Sequence, residues 1–272
     1  AWDDFLTCAK LYGIEINYLK PKRRYAFQGN LREGDLLYQV MRTAHWSVKP
    51  LRIFASSDYC TIDWYGSGSA WLRGKAETPL GKQVSVWVTV NHVVETWRYF
   101  NFEAEWWDIV GEDSGHDAIP LYCEGTTWCL LITNYVPLSA SSEGLANLKI
   151  GSKLWIGDRV FGYGCTSVRE VYRRDGKIVG DFLPFCQAWE GTLRMFTSWG
   201  ELPLIGGDLC VNGAVVGGYS GSPIFAAERM ESYPWLKLYA LGTVNSGMVG
   251  FITCSWTFGA DPLAVAKDIL VR

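Results

Sequence analysis

Val84-Ser85-Val86-Trp87-Val88-Thr89-Val90-Asn91-His92-Val93-Val94 decides how this chain is read. Valine recurs at every second position from Val84 to Val90, and Ser85, Trp87 and Thr89 fill the gaps. A period of two with β-branched and aromatic residues is a strand. The run ends on Asn91 and His92, so an imidazole follows a strongly β segment directly. Upstream, Gly66-Ser67-Gly68-Ser69-Ala70-Trp71-Leu72 reads as a glycine-marked strand.

The same texture extends outward. From about Arg52, short apolar or alternating runs follow one another, separated by Gly, Asp, Ser and Pro. Val168 to Val179 predicts a hairpin with Arg174-Asp175-Gly176-Lys177 at its turn, because Asp-Gly suits a two-residue type I′ loop. Many short strands at this spacing mean a sandwich or barrels. Helical patterning is confined to the ends. Leu37, Val40, Met41 and Ala44 share one helical face near the start. Asp261-Pro262 opens a helix through Leu270, with Asp as N-cap and Pro at the first helical position. Leu138-Ser139-Ala140-Ser141-Ser142-Glu143-Gly144, small and polar after Pro137, predicts the boundary between two barrels.

The bulk composition agrees with a folded β protein. The chain has 272 residues, 49% hydrophobic and 19% charged, with 14 Trp, 14 Tyr and 12 Phe. That is enough for two small barrels. The net charge of −3 gives no basic face for nucleic acid, and Lys20-Pro21-Lys22-Arg23-Arg24 is short enough to be a solvated turn. No apolar run approaches a membrane span. Eight cysteines at irregular spacing contain no C-x-x-C pair, and three histidines are few, so no metal site is expected. Most of the cysteines lie in apolar or glycine-rich runs, as buried reduced thiols do.

Gly217-Gly218-Tyr219-Ser220-Gly221-Ser222-Pro223 carries the chemistry. A serine hydroxyl is a poor nucleophile until a base within hydrogen-bond reach takes its proton and an acid orients that base. It also needs backbone N–H groups converging on the developing oxyanion, which glycines make room for. By itself such a segment is equally well an ordinary tight turn. His92 supplies the base, and Asp117-Ala118-Ile119-Pro120-Leu121 an acid entering an apolar run 25 residues later; Ser220 follows after another 103. His45, in Arg42-Thr43-Ala44-His45-Trp46, is the competing base. Asp108 and Asp113 are the competing acids. His116 is read as a surface residue.

The order His, Asp, Ser is the chymotrypsin order. Gly-Tyr-Ser-Gly-Ser-Pro resembles the G-x-S-G-x-P motif of the chymotrypsin-like serine proteases, above all those of positive-strand RNA viruses of the sobemovirus, polerovirus and arterivirus kind. Thr89-Val90-Asn91-His92 resembles their T-A-x-H motif, and Asp117-Ala118-Ile119 their strand entry at the acid. Val93 stands where cellular members usually carry Cys. The resemblance runs from about Asp63 to Arg272, with an insertion expected within 122–210.

The resemblance implies a mainly β fold of two six-stranded antiparallel barrels. Residues 1–50 would form a helical or mixed extension, 51–137 the first barrel with the base and acid, and 147–272 the second, with the serine and a C-terminal helix. It implies an oxyanion hole of the Gly218 and Ser220 amides, and a substrate-lining strand through Thr243, Asn245, Ser246 and Gly247. It implies no cofactor. Its substrate would be a polypeptide, the parent polyprotein, in the host cytoplasm. Ala214 stands where trypsin-like enzymes keep Asp, and no His lies in the pocket wall, so a neutral or polar P1 residue is expected, with Arg disfavoured. Two rivals stand beside this reading. One is a secreted cellular protease using the cysteines as disulfides. The other is an inactive protease-fold binding module, for which the tryptophans would line a binding surface.

Overall fold

The computed structural model describes residues 15–17, 40, 43–56, 64–95, 104–111, 115–122, 128–137, 159–174, 177–198, 207–212, 219–229, 236–248, 251–255 and 262–271. The predicted linker 138–144, Asp113, Ala214 and Gly218 lie outside these residues, as do Leu37 and Met41 of the predicted helical face.

Six antiparallel strands close the first barrel. They are β2 (Val48–Ser56), β3 (Trp64–Glu77), β4 (Gln83–Val90), β5 (Ala104–Val110), β6 (Gly115–Tyr122) and β7 (Trp128–Thr133), in the order β2-β3-β4-β7-β6-β5. The valine alternation of β4 works on both faces. Trp87 points into this barrel with Leu51, Ile53, Leu72, Ile109 and Leu131. Val84, Val86 and Val88 point outward into a second cluster. All of β4 beyond Gln83 is therefore buried. Trp71 and Trp87 are fully buried. Each such ring removes about 150–250 Å² from water, roughly 4–6 kcal/mol at 25 cal/mol/Å². Their N–H groups are satisfied, Trp71 Nε1 donating to Thr243 Oγ1 at 3.1 Å and Trp87 Nε1 to Thr133 Oγ1 at 3.0 Å.

The second sheet comprises β1 (Glu15–Asn17), β8 (Arg159–Arg174), β9 (Lys177–Ser198), β10 (Gly207–Asn212), β11 (Pro223–Arg229), β12 (Leu236–Met248) and β13 (Phe251–Ser255). Its order is β1-β9-β10-β13-β12-β11-β8, and β8 also pairs with β9. That pairing closes six of the strands into a second antiparallel circuit, with β1 added in parallel on β9. The predicted hairpin is the tip of the β8–β9 ribbon, whose register runs unbroken from Arg159↔Thr192 to Arg174↔Lys177. These long strands lie within 122–210, the stretch in which an insertion was expected.

The two barrels share a core. Val48, Trp71, Val86, Val88 and Leu130 from the first meet Phe161, Tyr163, Phe225 and Ala240 from the second. The C-terminal helix α2 (Pro262–Val271) begins at the predicted proline and packs Ala266 into the same cluster. Val40 and Ala44 of the N-terminal stretch are also in it, both fully buried. The expected chymotrypsin-like architecture, two barrels and a C-terminal helix, is the one found, and segments of 1–50 are integrated into it.

Candidate active site

His92 lies on α1 (Asn91–Val94), a single helical turn that continues β4. No side chain caps this turn, and it closes through Glu95 N–H donating to Asn91 carbonyl at 2.7 Å. Two neighbours fix it from inside the barrel. Val93 and Val94 are buried in the barrel core, and Trp107 Nε1 donates to the Val94 carbonyl at 3.3 Å. The His92 side chain stays exposed at the rim.

Ser220 sits in the turn leading into β11. Gly221 has φ +90°, a conformation that glycine takes without steric cost. A Cβ there would stand 2.0 Å from the Ser69 carbonyl oxygen and 2.3 Å from Thr89 Oγ1. The turn is thus sewn to the first barrel. Ser69 N–H donates to the Ser220 carbonyl at 2.8 Å. Thr89 Oγ1 donates to the Ser69 carbonyl at 2.8 Å. The Ser69 hydroxyl donates to the Cys165 carbonyl at 3.0 Å and accepts from the Cys165 N–H at 2.9 Å.

It is sewn equally to the second barrel. Gly221 N–H donates to Val244 carbonyl, and Val244 N–H to Ser222 carbonyl, each at 2.8 Å. Ser222 N–H donates to the Tyr219 carbonyl at 2.9 Å, and the Ser222 hydroxyl donates to that same oxygen. Among the described residues the Ser220 N–H and hydroxyl make no hydrogen bond.

Gly68 marks where the two pieces meet. A Cβ at Gly68 would lie 2.6 Å from Val93 Cγ1, on the His92 turn, and 3.1 Å from the Ser220 carbonyl oxygen. The predicted glycine-marked strand therefore matters because the His92 and Ser220 turns both press on it. The bridge is completed by Asn245, one residue beyond Val244: its Oδ1 lies 3.2 Å from His92 Nδ1. Partial burial holds the His92 pKa below the ordinary imidazole value, and the Asn245 bond acts in the opposite direction.

The other predicted residues are placed as follows. His45 Nδ1 lies 3.1 Å from the Tyr163 hydroxyl, with Trp46 packed on its ring. His116 stacks on Tyr135, centroids 4.1 Å apart. Asp117, expected beside the base, is not brought there. Its neighbour Ala118 pairs with Thr133, whereas Val90, just before the His92 turn, pairs with Trp128. Five residues of β7, roughly 17 Å of strand, separate those levels. Asp117 instead faces Asp108 across β5 and β6.

Asp108 is buried and takes Arg52 Nε at 2.8 Å and Nη2 at 2.5 Å, so its carboxylate is committed to that guanidinium. Thr243, expected to line the substrate, is fully buried, and its hydroxyl is occupied by Trp71. Ser246 and Gly247 belong to β12, and Gly247 pairs with Ile252. Gly218, expected to share the oxyanion hole with Ser220, is outside the described residues. No group of acidic, histidine or cysteine residues suited to a metal occurs among the described residues.

No family model matches the chain. No curated protein matches it. Among solved structures, a mutant of human heparin binding protein (CAP37) is 12% identical with a TM-score of 0.43, covering 81% of this chain and 88% of its own. An inactive mutant of the murine norovirus NS6 protease, carrying a C-terminal extension, is 8% identical with a TM-score of 0.33, covering 70% and 88%. A chimeric form of that protease is 10% identical, also at 0.33, covering 71% and 90%.

Proposed function

We propose that the protein is a serine endopeptidase, with Ser220 as nucleophile and His92 as general base. One observation carries this reading. The Ser220 turn is hydrogen-bonded to Ser69 on one side and to Val244 on the other, and these segments adjoin the His92 turn and the residue bonded to His92. Attack forms a bond from Ser220 Oγ to the scissile carbonyl carbon, and the hydroxyl proton passes to His92 Nε2. The Ser220 N–H, with Gly218 N–H by resemblance, receives the oxyanion. Collapse breaks the C–N bond, and His92 returns the proton to the departing amine. Water, activated by the same imidazole, then hydrolyses the acyl-enzyme.

The motif resemblance extends the proposal to a viral polyprotein as substrate, cleaved in the host cytoplasm. The reading keeps a neutral or polar P1 side chain, with the Thr243 hydroxyl accepting from Trp71 and the Asn245 amide oxygen beside His92 Nδ1.

A fluorophosphonate probe followed by intact mass measurement tests the reading. One adduct on Ser220 is expected, absent in Ser220→Ala and strongly slowed in His92→Ala. Undiminished labelling of Ser220→Ala overturns it. A second reading, a binding module without turnover, has one observation in its favour: the Ser220 hydroxyl has no hydrogen bond to His92 among the described residues. Catalytic hydrogen bonds often tighten only when substrate binds. Absence of any adduct at Ser220 would favour the module.

A further inference from the structure

We propose that Asn245 is the positioning residue for His92, a neutral amide standing where a carboxylate was expected. The inference rests on the reading of Ser220 and His92 as nucleophile and base. An amide oxygen can only accept, so at 3.2 Å from Asn245 Oδ1 the Nδ1 atom of His92 carries the proton. The neutral ring then keeps its lone pair on Nε2, the form a general base needs.

Backbone geometry aims this side chain. On β12, Val244 pairs with Cys254 and Ser246 with Thr253, so Asn245 is the extra residue of a β-bulge. A bulge releases one residue from strict alternation and redirects its side chain. The residue before it, Val244, exchanges two hydrogen bonds with the nucleophile turn, to Gly221 and Ser222. Consecutive residues of one strand thus set the positions of both base and nucleophile.

Two of the carboxylates named from the sequence do not compete, and the third, Asp113, is outside the described residues. Asp108 is held by Arg52, and Asp117 lies at another level of the barrel. Of the elements packed on α1, β4 carries no titratable group, β7 only the buried Cys129 thiol, and β5, whose Trp107 bonds to the turn, Asp108 and Glu105, the latter at the register position of Ala55 on β2. The charged residues of β3, Arg73, Lys75 and Glu77, lie toward its far end, beyond Trp71, which pairs with Val88. Lys237 is at the opposite end of β12 from Asn245, and Glu95 ends the helical turn itself. Glu124, in the segment ahead of β7, is outside the described residues and enters the test.

The test reads the imidazole directly. In full-length Ser220→Ala protein labelled with ¹⁵N-histidine there are three rings. His92 is expected as the Nδ1–H tautomer, and adding Asn245→Leu should abolish that preference while His45 and His116 stay unchanged. In the active protein, Asn245→Ala should lower kcat at least tenfold with little change in KM. Asn245→Asp should retain turnover and move the acid limb of kcat/KM upward by about one pH unit or more, because a nearby carboxylate favours the imidazolium. Melting curves qualify each variant, and if Asn245→Leu does not fold, Asn245→Ala takes its place in the spectra. An unchanged His92 tautomer without Asn245 overturns the proposal. So does an acid limb that moves in Glu124→Gln but not in Asn245→Asp. Hydrolysis surviving in Ser220→Ala would instead sink the nucleophile assignment and leave the tautomer result standing.

Discussion

The serine turn and the histidine turn are held in opposite ways. Main-chain hydrogen bonds fix the Ser220 turn on both sides, over buried Ser69, Thr89 and Ser222. The His92 turn is one helical turn without a side-chain cap, and its exposed ring meets a single described polar partner. Backbone bonds hold an atom in place whatever the side chain, whereas a side-chain bond can be tuned or lost by one substitution. The Ser220 turn should therefore tolerate changes around it only where backbone geometry survives. The His92 side chain should be adjustable without cost to the fold.

The sharpest break is His92→Ala. Turnover of a cleavable peptide should fall about 10⁴-fold or more, while the melting temperature stays within a few degrees because the ring is exposed. Gly221→Ala attacks the other turn. Its Cβ would meet the Ser69 carbonyl and Thr89 hydroxyl at a positive φ, so activity and stability should fall together, the latter by about 2–4 kcal/mol in urea unfolding. Parallel loss of only one of the two would mean the turn relaxes independently of β3.

Thr89→Val deletes the hydroxyl that holds Ser69 and should cost about 1–2 kcal/mol, with a several-fold loss of kcat. A gentler probe is pH. Since partial desolvation of the rim-exposed ring holds His92 below the ordinary imidazole value, its neutral, proton-accepting form persists to lower pH, and the acid limb of kcat/KM should lie below that of a free imidazole. A limb above the ordinary value would reveal a carboxylate near the ring. The smallest effect belongs to Asp117→Asn, expected to leave kcat within a few-fold. A drop of orders of magnitude would restore Asp117 to the triad and contradict the β6–β7 register.

That register explains which parts of the site were legible in the sequence. The alternation that reveals β4 is local, so the strand and the imidazole after it could be read from Val84 to His92. Glycine at 221 announced a turn for an equally local reason. Asp117 also looked right locally, as an acid entering an apolar run. Its distance from His92 depends on how β6 is staggered against β7 and β7 against β4, and stagger is a property of partner strands. The same limit hid the bulge that singles out Asn245, and the pairing of Trp71 with Thr243. Asn245 was legible as a candidate lining residue but not as the partner of His92. What could have pointed to it is its place one residue after Val244, in a strand already suspected of lining the cleft.

The contact of Ser69 with Ser220 has a consequence in time. During synthesis the first barrel emerges complete in its own strands, β2 to β7, with His92 already at its rim. The serine leaves the ribosome much later and takes its final posture only when Ser69 and Val244 grip it from either side. Until the halves dock, the His92 and Ser220 turns stay apart. Under the proposed reading, chain order alone therefore delays assembly of the site.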